Sequence, residues 1–170
     1  KFEADIDFGY GGVWLKVPSR NCSQLNLNEA RITAELVTIC LEAGIEVEDI
    51  AVVTPFRRQV MQIRYLVRRN ISKTLELPII DTVERVQGLT VEIAIISLSA
   101  STRDYIESIA EFLFSTNRLN VAVSRSRTKS IIISNPDIFE CMPKTFSGLE
   151  SRNICREFLT SEPCKLIDYF

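Results

Sequence analysis

Between Asn117 and Arg127 the chain reads NRLNVAVSRSR, which sets Arg118, Arg125 and Arg127 around small and apolar side chains, just ahead of the β-branched segment Ser130 to Ser134. A guanidinium is a planar fork of donors that stays charged at any working pH and bridges phosphate oxygens well. The stretch is therefore a candidate phosphate sensor. Upstream, VERVQGLTVEIAIIS places a Gln87-Gly88 turn ahead of a strand-like apolar run. Two polar clusters at strand ends suggest a nucleotide site.

The elements that must carry these residues alternate in type. Val13 to Val17 reads as a first strand before Pro18. From Asn28, NEARITAELVTICLEAG repeats Ala30, Ala34, Val37 and Leu41 at helical spacing, with Asn28 as N-cap and Gly44 as the stop. Asp49 to Pro55 is a short β-branched run, the kind buried on both faces of a parallel sheet. FRRQVMQIRYLVRRN returns to helical period, with Val60, Ile63, Tyr65, Leu66 and Val67 inward or flanking. Its polar face carries Arg57, Arg58, Arg64, Arg68 and Arg69 and no acid.

A short strand near Ile79 to Asp81 and a strong one from Glu92 to Ser99 come next, then a loop and helix within ASTRDYIESIAEFLF. Helical signal resumes through LNVAVSRSR, followed by the strand Ser130 to Ser134 and a last helix around Ile154 to Leu159. This alternation predicts a doubly wound α/β fold, a mainly parallel sheet with right-handed crossovers. Ligands in such sheets sit at the carboxyl ends of the strands. Thr54, Thr82 and Ser97 to Ser101 all fall there.

With 170 residues and 46% apolar content, the chain fits one domain with a real core. It opens on Lys1 rather than Met and is read as an excised piece of a longer protein, with residues 1–12 and 140–170 peripheral to the domain. The net charge of −2 argues against a strongly basic binder. Of the 20 basic residues 14 are arginine, a bias expected where planar phosphate or carboxylate contacts matter, although ordinary surface composition explains it as well. Five cysteines without a CxxC pair, and no histidine, exclude a familiar structural zinc site and every Ser-His or Cys-His nucleophile. Reduced thiols fit an intracellular protein, cytoplasmic or nuclear. No run approaches a membrane span.

GxxxxGK[ST] is absent, and Gly9, Gly11 and Gly12 precede the first strand without forming GxGxxG. A complete nucleotide hydrolase and a dinucleotide-binding dehydrogenase are both excluded. Arginines without a phosphate loop are the composition expected of one half of a composite site, in which another domain holds the nucleotide.

Taken in order, TPFRRQ, DTVERVQG, EIAIIS and NRLNVAVSRSR resemble motifs IV, V and VI of superfamily 1 helicases, and specifically the Upf-like branch of group 1B. The resemblance spans roughly Asn28 to Asn135. It implies a RecA-like three-layer αβα domain, the second of a two-domain motor that hydrolyses ATP with Mg2+ to walk along single-stranded nucleic acid. The first RecA-like domain, N-terminal to Lys1, would hold the phosphate loop and most of the magnesium contacts. Translocation from 5′ to 3′ is implied in the same way.

By the same resemblance Arg125 reaches the γ-phosphate, while Arg118 and Arg127 either reach phosphates or pair with acids near the sheet. Gln87 and Gly88 form the turn on the nucleotide side, and Arg57 or Arg58 offers a nucleotide-facing side chain. Thr82, and Thr54 from motif IV, would hydrogen-bond a backbone phosphate of the bound strand, unless they only cap the turns that follow them. Thr90 stands where many relatives carry an acid that touches the ribose, and Glu92 is the next acid. No metal ligand falls on this chain. A gripped backbone serves DNA and RNA alike.

Two other readings stay open. One is a degenerate RecA-like module that binds nucleic acid or a partner without ATP turnover. The other is an unrelated α/β domain in which Arg125 is a structural ion-pair partner.

Overall fold

In the computed structural model the described residues are 11–71, 76–86, 88–115, 126–161 and 164–169. Six strands form one sheet: β1 (Gly12–Lys16), β2 (Ile50–Val53), β3 (Ile79–Asp81), β4 (Val91–Ser97), β5 (Ser126–Ser134) and β6 (Cys164–Asp168). Their order is β3-β2-β4-β5-β1-β6, and every pairing is parallel. The helices are α1 (Leu27–Glu42), α2 (Arg57–Asn70), α3 (Arg103–Ser108), α4 (Ala110–Leu113) and α5 (Phe146–Thr160).

Alternating strand residues feed two cores. Val13, Leu15, Ile50, Val52, Ile93, Ile95, Ile131 and Ile133 pack with α1 and α2 on one face. Trp14, Val53, Ile96 and Ile132 pack with α3, α4 and α5 on the other. β2 and β4 are therefore buried on both sides and consist almost wholly of β-branched and small residues, as their continuous apolar runs predict. The result is the three-layer αβα arrangement of a RecA-like domain. Among the described residues, no helix is long and apolar enough to cross a membrane.

Several boundaries differ from those read in the sequence. The N-cap of α1 is Asn26, not Asn28: its side chain accepts from the backbone N–H of Asn28 and Glu29 while its own backbone stays extended. Two asparagines of equal capping chemistry stand two residues apart, and the buried one takes the role. Gly44 does end the helix. With φ at 86°, it lets Ile45 N–H reach Cys40 O and Gly44 N–H reach Leu41 O. β5 starts at Ser126 rather than Ser130, so the helical reading of LNVAVSRSR fails for its last two residues. The rest of that run lies outside the described residues. α5 is longer than the sequence indicates, and β6, unread in the sequence, joins the sheet beside β1.

Candidate functional site

Because all strands run the same way, the residues that follow them gather along one edge of the sheet. Thr54 follows β2, Thr82 follows β3, Ser97 ends β4 and Asn135 follows β5. At this edge a buried polar network ties three elements together. Gln59, in the first turn of α2, accepts from Asn26 N–H through Oε1 (2.9 Å) and donates through Nε2 to Asn26 O (3.1 Å) and Ser97 Oγ (3.1 Å). Ser97 Oγ donates to Glu29 Oε2 (2.7 Å), which also accepts from Ser99 N–H (2.8 Å). Asn26 Nδ2 donates to Glu29 Oε1 (3.0 Å) and to Ser19 Oγ (2.9 Å), and Asn135 Nδ2 donates to Ser19 O (2.7 Å).

Glu29 is fully buried. Removal from water pushes its carboxyl up from 4.5 to about 7, against the donors Ser97, Ser99 and Asn26, which pull the other way. Ser99 is held at φ 66°, a left-handed conformation that side chains seldom take, and its hydroxyl has no partner among the described residues. Sequence reasoning put Ser97 and Ser99 at this edge but missed Asn26, Glu29 and Gln59. Two signals were present: Asn26-x-x-Glu29 has the spacing of a capping box, and Gln59 shares the 59, 63, 67 stripe of α2 with buried Ile63 and Val67.

Arg57 and Arg58 are exposed on the first turn of α2, where the N-cap Phe56 makes no side-chain bond and no acid follows. Two cations thus sit against the positive end of the helix dipole, an arrangement that favours an incoming anion. Beside them a groove of about 620 Å³ is lined by Phe56, Tyr105 and Phe112 together with Glu107, Glu111 and Lys144; the Tyr105 ring lies 6.1 Å and the Phe112 ring 6.0 Å from that of Phe56.

Thr82 is partly exposed, and it precedes a turn that its side chain does not cap, which removes the capping alternative. Thr54, by contrast, is fully buried, and its Oγ1 has no partner among the described residues, so its hydroxyl is not at the surface that a strand would touch.

Gly88 and Thr90 lie before β4, at the opposite edge of the sheet from Thr82, Arg57 and Arg58. Gly88 has φ 85°, and the space a Cβ would take is open, so its need for glycine is conformational. Arg127 pairs with Glu92 at 3.2 Å, the structural alternative raised for it in the sequence. Glu92 also accepts from Thr128, and these two partners, Thr128 foremost, hold its carboxyl below the usual range. Engaged in this way, it does not replace the acid missing at Thr90. Arg64 is also committed, donating to Ile80 O (2.9 Å) and Asp81 (3.0 Å), and Arg69 lies over the Tyr65 ring. Gln87, Arg118 and Arg125 lie outside the described residues. Among the described residues, no group of three or more His, Cys, Asp or Glu is placed to hold a metal.

A family profile described as an AAA domain matches residues 15–137, most of the chain. The chain belongs to this family, as a superfamily 1 helicase domain. It is 30% identical over 118 residues to the human DNA replication ATP-dependent helicase/nuclease DNA2, covering 69% of this chain and 11% of that protein. It is 39% identical over 113 residues to the DNA polymerase alpha-associated DNA helicase A of Schizosaccharomyces pombe, covering 66% and 16%. Human RNA helicase Mov10l1 is 31% identical over 106 residues, covering 61% and 8%. The helicase domain thus spans only a small part of these relatives' length, and they include proteins named for DNA and for RNA.

Proposed function

We propose that this helicase domain is the second, C-terminal RecA-like motor domain of an ATP-dependent helicase or translocase that acts on single-stranded DNA or RNA. The observation that carries this reading is the strand-tip edge. There Arg57 and Arg58 stand at an uncapped, acid-free helix start, and on the same edge Thr82 presents a hydroxyl that caps nothing. Hydroxyls of this kind hold a phosphate backbone without reading its sequence, and guanidinia at a helix start meet phosphate, of the nucleotide or of the strand. The aromatic groove beside them offers ring faces on which bases stack.

Since the sequence has no phosphate loop, ATP would be held mainly by the first RecA-like domain of the same protein, with this domain closing over it. Bound Mg2+ would supply charge neutralisation at the phosphates. No magnesium ligand is assigned to this chain. Arg125, with Arg118 and the Gln87-Gly88 turn, would meet the nucleotide, Arg125 giving its guanidinium to the γ-phosphate. An arginine supplied across such a cleft contributes about 10³ to 10⁵ in rate.

In the intact protein, Arg125→Ala lowers strand-stimulated ATP turnover by about a thousandfold or more while leaving the melting temperature unchanged. A variant that melts early but turns over normally would instead make Arg125 a structural ion-pair partner. The engaged Glu92 and the non-acidic Thr90 favour a second reading, a module that binds strand without an ATP cycle. Intact protein that binds single strands and hydrolyses no ATP would establish that reading.

A further inference from the structure

We propose that Glu29 is a positioning residue whose buried carboxyl locks the first turn of α2 to the tip of β4 and so fixes how Arg57 and Arg58 meet phosphate. The identity of that phosphate rests on the motor reading above. The clamp itself rests on geometry. Arg57, Arg58 and Gln59 are consecutive in one helical turn. The carboxyl of Glu29 takes the single hydroxyl hydrogen of Ser97 (2.7 Å), which leaves Ser97 Oγ to accept from Gln59 Nε2 (3.1 Å). With its NH2 group so committed, Gln59 turns Oε1 toward Asn26 N–H (2.9 Å). Gln59 Nε2 also donates to Asn26 O (3.1 Å), so the backbone of Asn26 and the Glu29–Ser97 pair hold the same amide orientation from two sides, the second of them through Glu29.

The remaining contacts of Glu29 reinforce this ordering. Oε2 also accepts from Ser99 N–H, and Oε1 accepts from Asn26 Nδ2, whose Oδ1 caps α1. Each of these partners donates to the carboxyl, which in its ionised form accepts at both oxygens. An amide in its place sets N–H against N–H, either at Asn26 or at the Ser97 and Ser99 pair, and the Ser97 hydroxyl is then free to turn and release Gln59. Burial of Asn26, Glu29, Gln59, Ser97 and Ser99 keeps water from replacing the lost bonds.

The test compares Glu29→Gln and the milder Ser97→Ala in the intact protein, each alone and on an Arg57→Ala/Arg58→Ala background. Two constants are measured: KM for ATP, and Kd for a fluorescent single-stranded oligonucleotide. We expect each variant to worsen one of them by about tenfold, and to add nothing once the two arginines are gone. The constant that moves tells whether the phosphate is that of the nucleotide or of the strand. Unchanged constants, or full additivity on the double-alanine background, overturn the proposal. If the wild-type protein neither turns over ATP nor binds the strand, the motor reading fails on its own. Hydrogen exchange at the Asn26 and Ser99 amides then judges the clamp: faster exchange in Ser97→Ala supports it, and unchanged exchange overturns it.

Discussion

Glu29 gives up solvation to satisfy three donors, and that exchange makes its proton a stability term. Its carboxyl rises from 4.5 to about 7 on folding, mainly through burial, so the folded state binds the proton more tightly than the unfolded chain does. The stabilisation is complete below pH 4.5 and is lost as pH rises to about 7, a difference on the order of 3 kcal/mol. Urea denaturation across that window should show stability falling with pH, and Glu29→Gln should flatten the slope. Glu92 and Glu107, both held below the usual range, act only beneath this window. Thr54 makes the opposite case. Its buried hydroxyl satisfies nothing among the described residues, so Thr54→Val should raise stability by about 1 kcal/mol in thermal melts and leave strand affinity unchanged. A loss of strand affinity would return Thr54 to the strand-gripping surface.

Among the elements, α2 sets the proposed phosphate role against stability. A helix start prefers acids, yet α2 offers Arg57 and Arg58 with no side-chain cap. Changing both to Glu should raise the denaturation midpoint by an amount equivalent to about 1 kcal/mol while weakening phosphate binding at least tenfold, measured by oligonucleotide titration and ATP kinetics. The helices α1 and α2 were legible by their 3.6-residue apolar period and the four central strands by short runs rich in β-branched residues. β3 lies where the short apolar run after Pro78 predicts a strand. α5 and β6 were harder for a physical reason. Phe146, Ile154 and Phe158 of α5 are exposed, so its apolar pattern does not mark the core, and β6 is an edge strand with Leu166 facing out. At the strand tips, the motif resemblance pointed to Thr82, Arg57 and Arg58, and the structure shows them at one edge of the sheet, Arg57 and Arg58 exposed and Thr82 partly so. Glu29 and Gln59 stayed hidden because polar residues in a buried network look like surface residues until their partners are known.

For the molecule as a whole, the five cysteines are free thiols distributed between interior and rim. Burial pushes Cys40 up to about 11 and Cys155 up to about 12, and it raises Cys141 and Cys164 as well. Alkylation of the folded protein at mildly alkaline pH, followed by mass spectrometry, should therefore modify partly exposed Cys22 first. Cys40 and Cys155 should react only after denaturant is added. Early labelling of Cys155 would mean that α5 opens from the sheet without global unfolding.

The parallel strands have a mechanical consequence. β4 and β5, hydrogen-bonded through the centre of the molecule, run from the Gly88 and Arg127 margin to the Ser97 and Asn135 margin. Packed on both faces, these paired strands have little room to bend between the margins, so a displacement imposed at one end should be felt at the other.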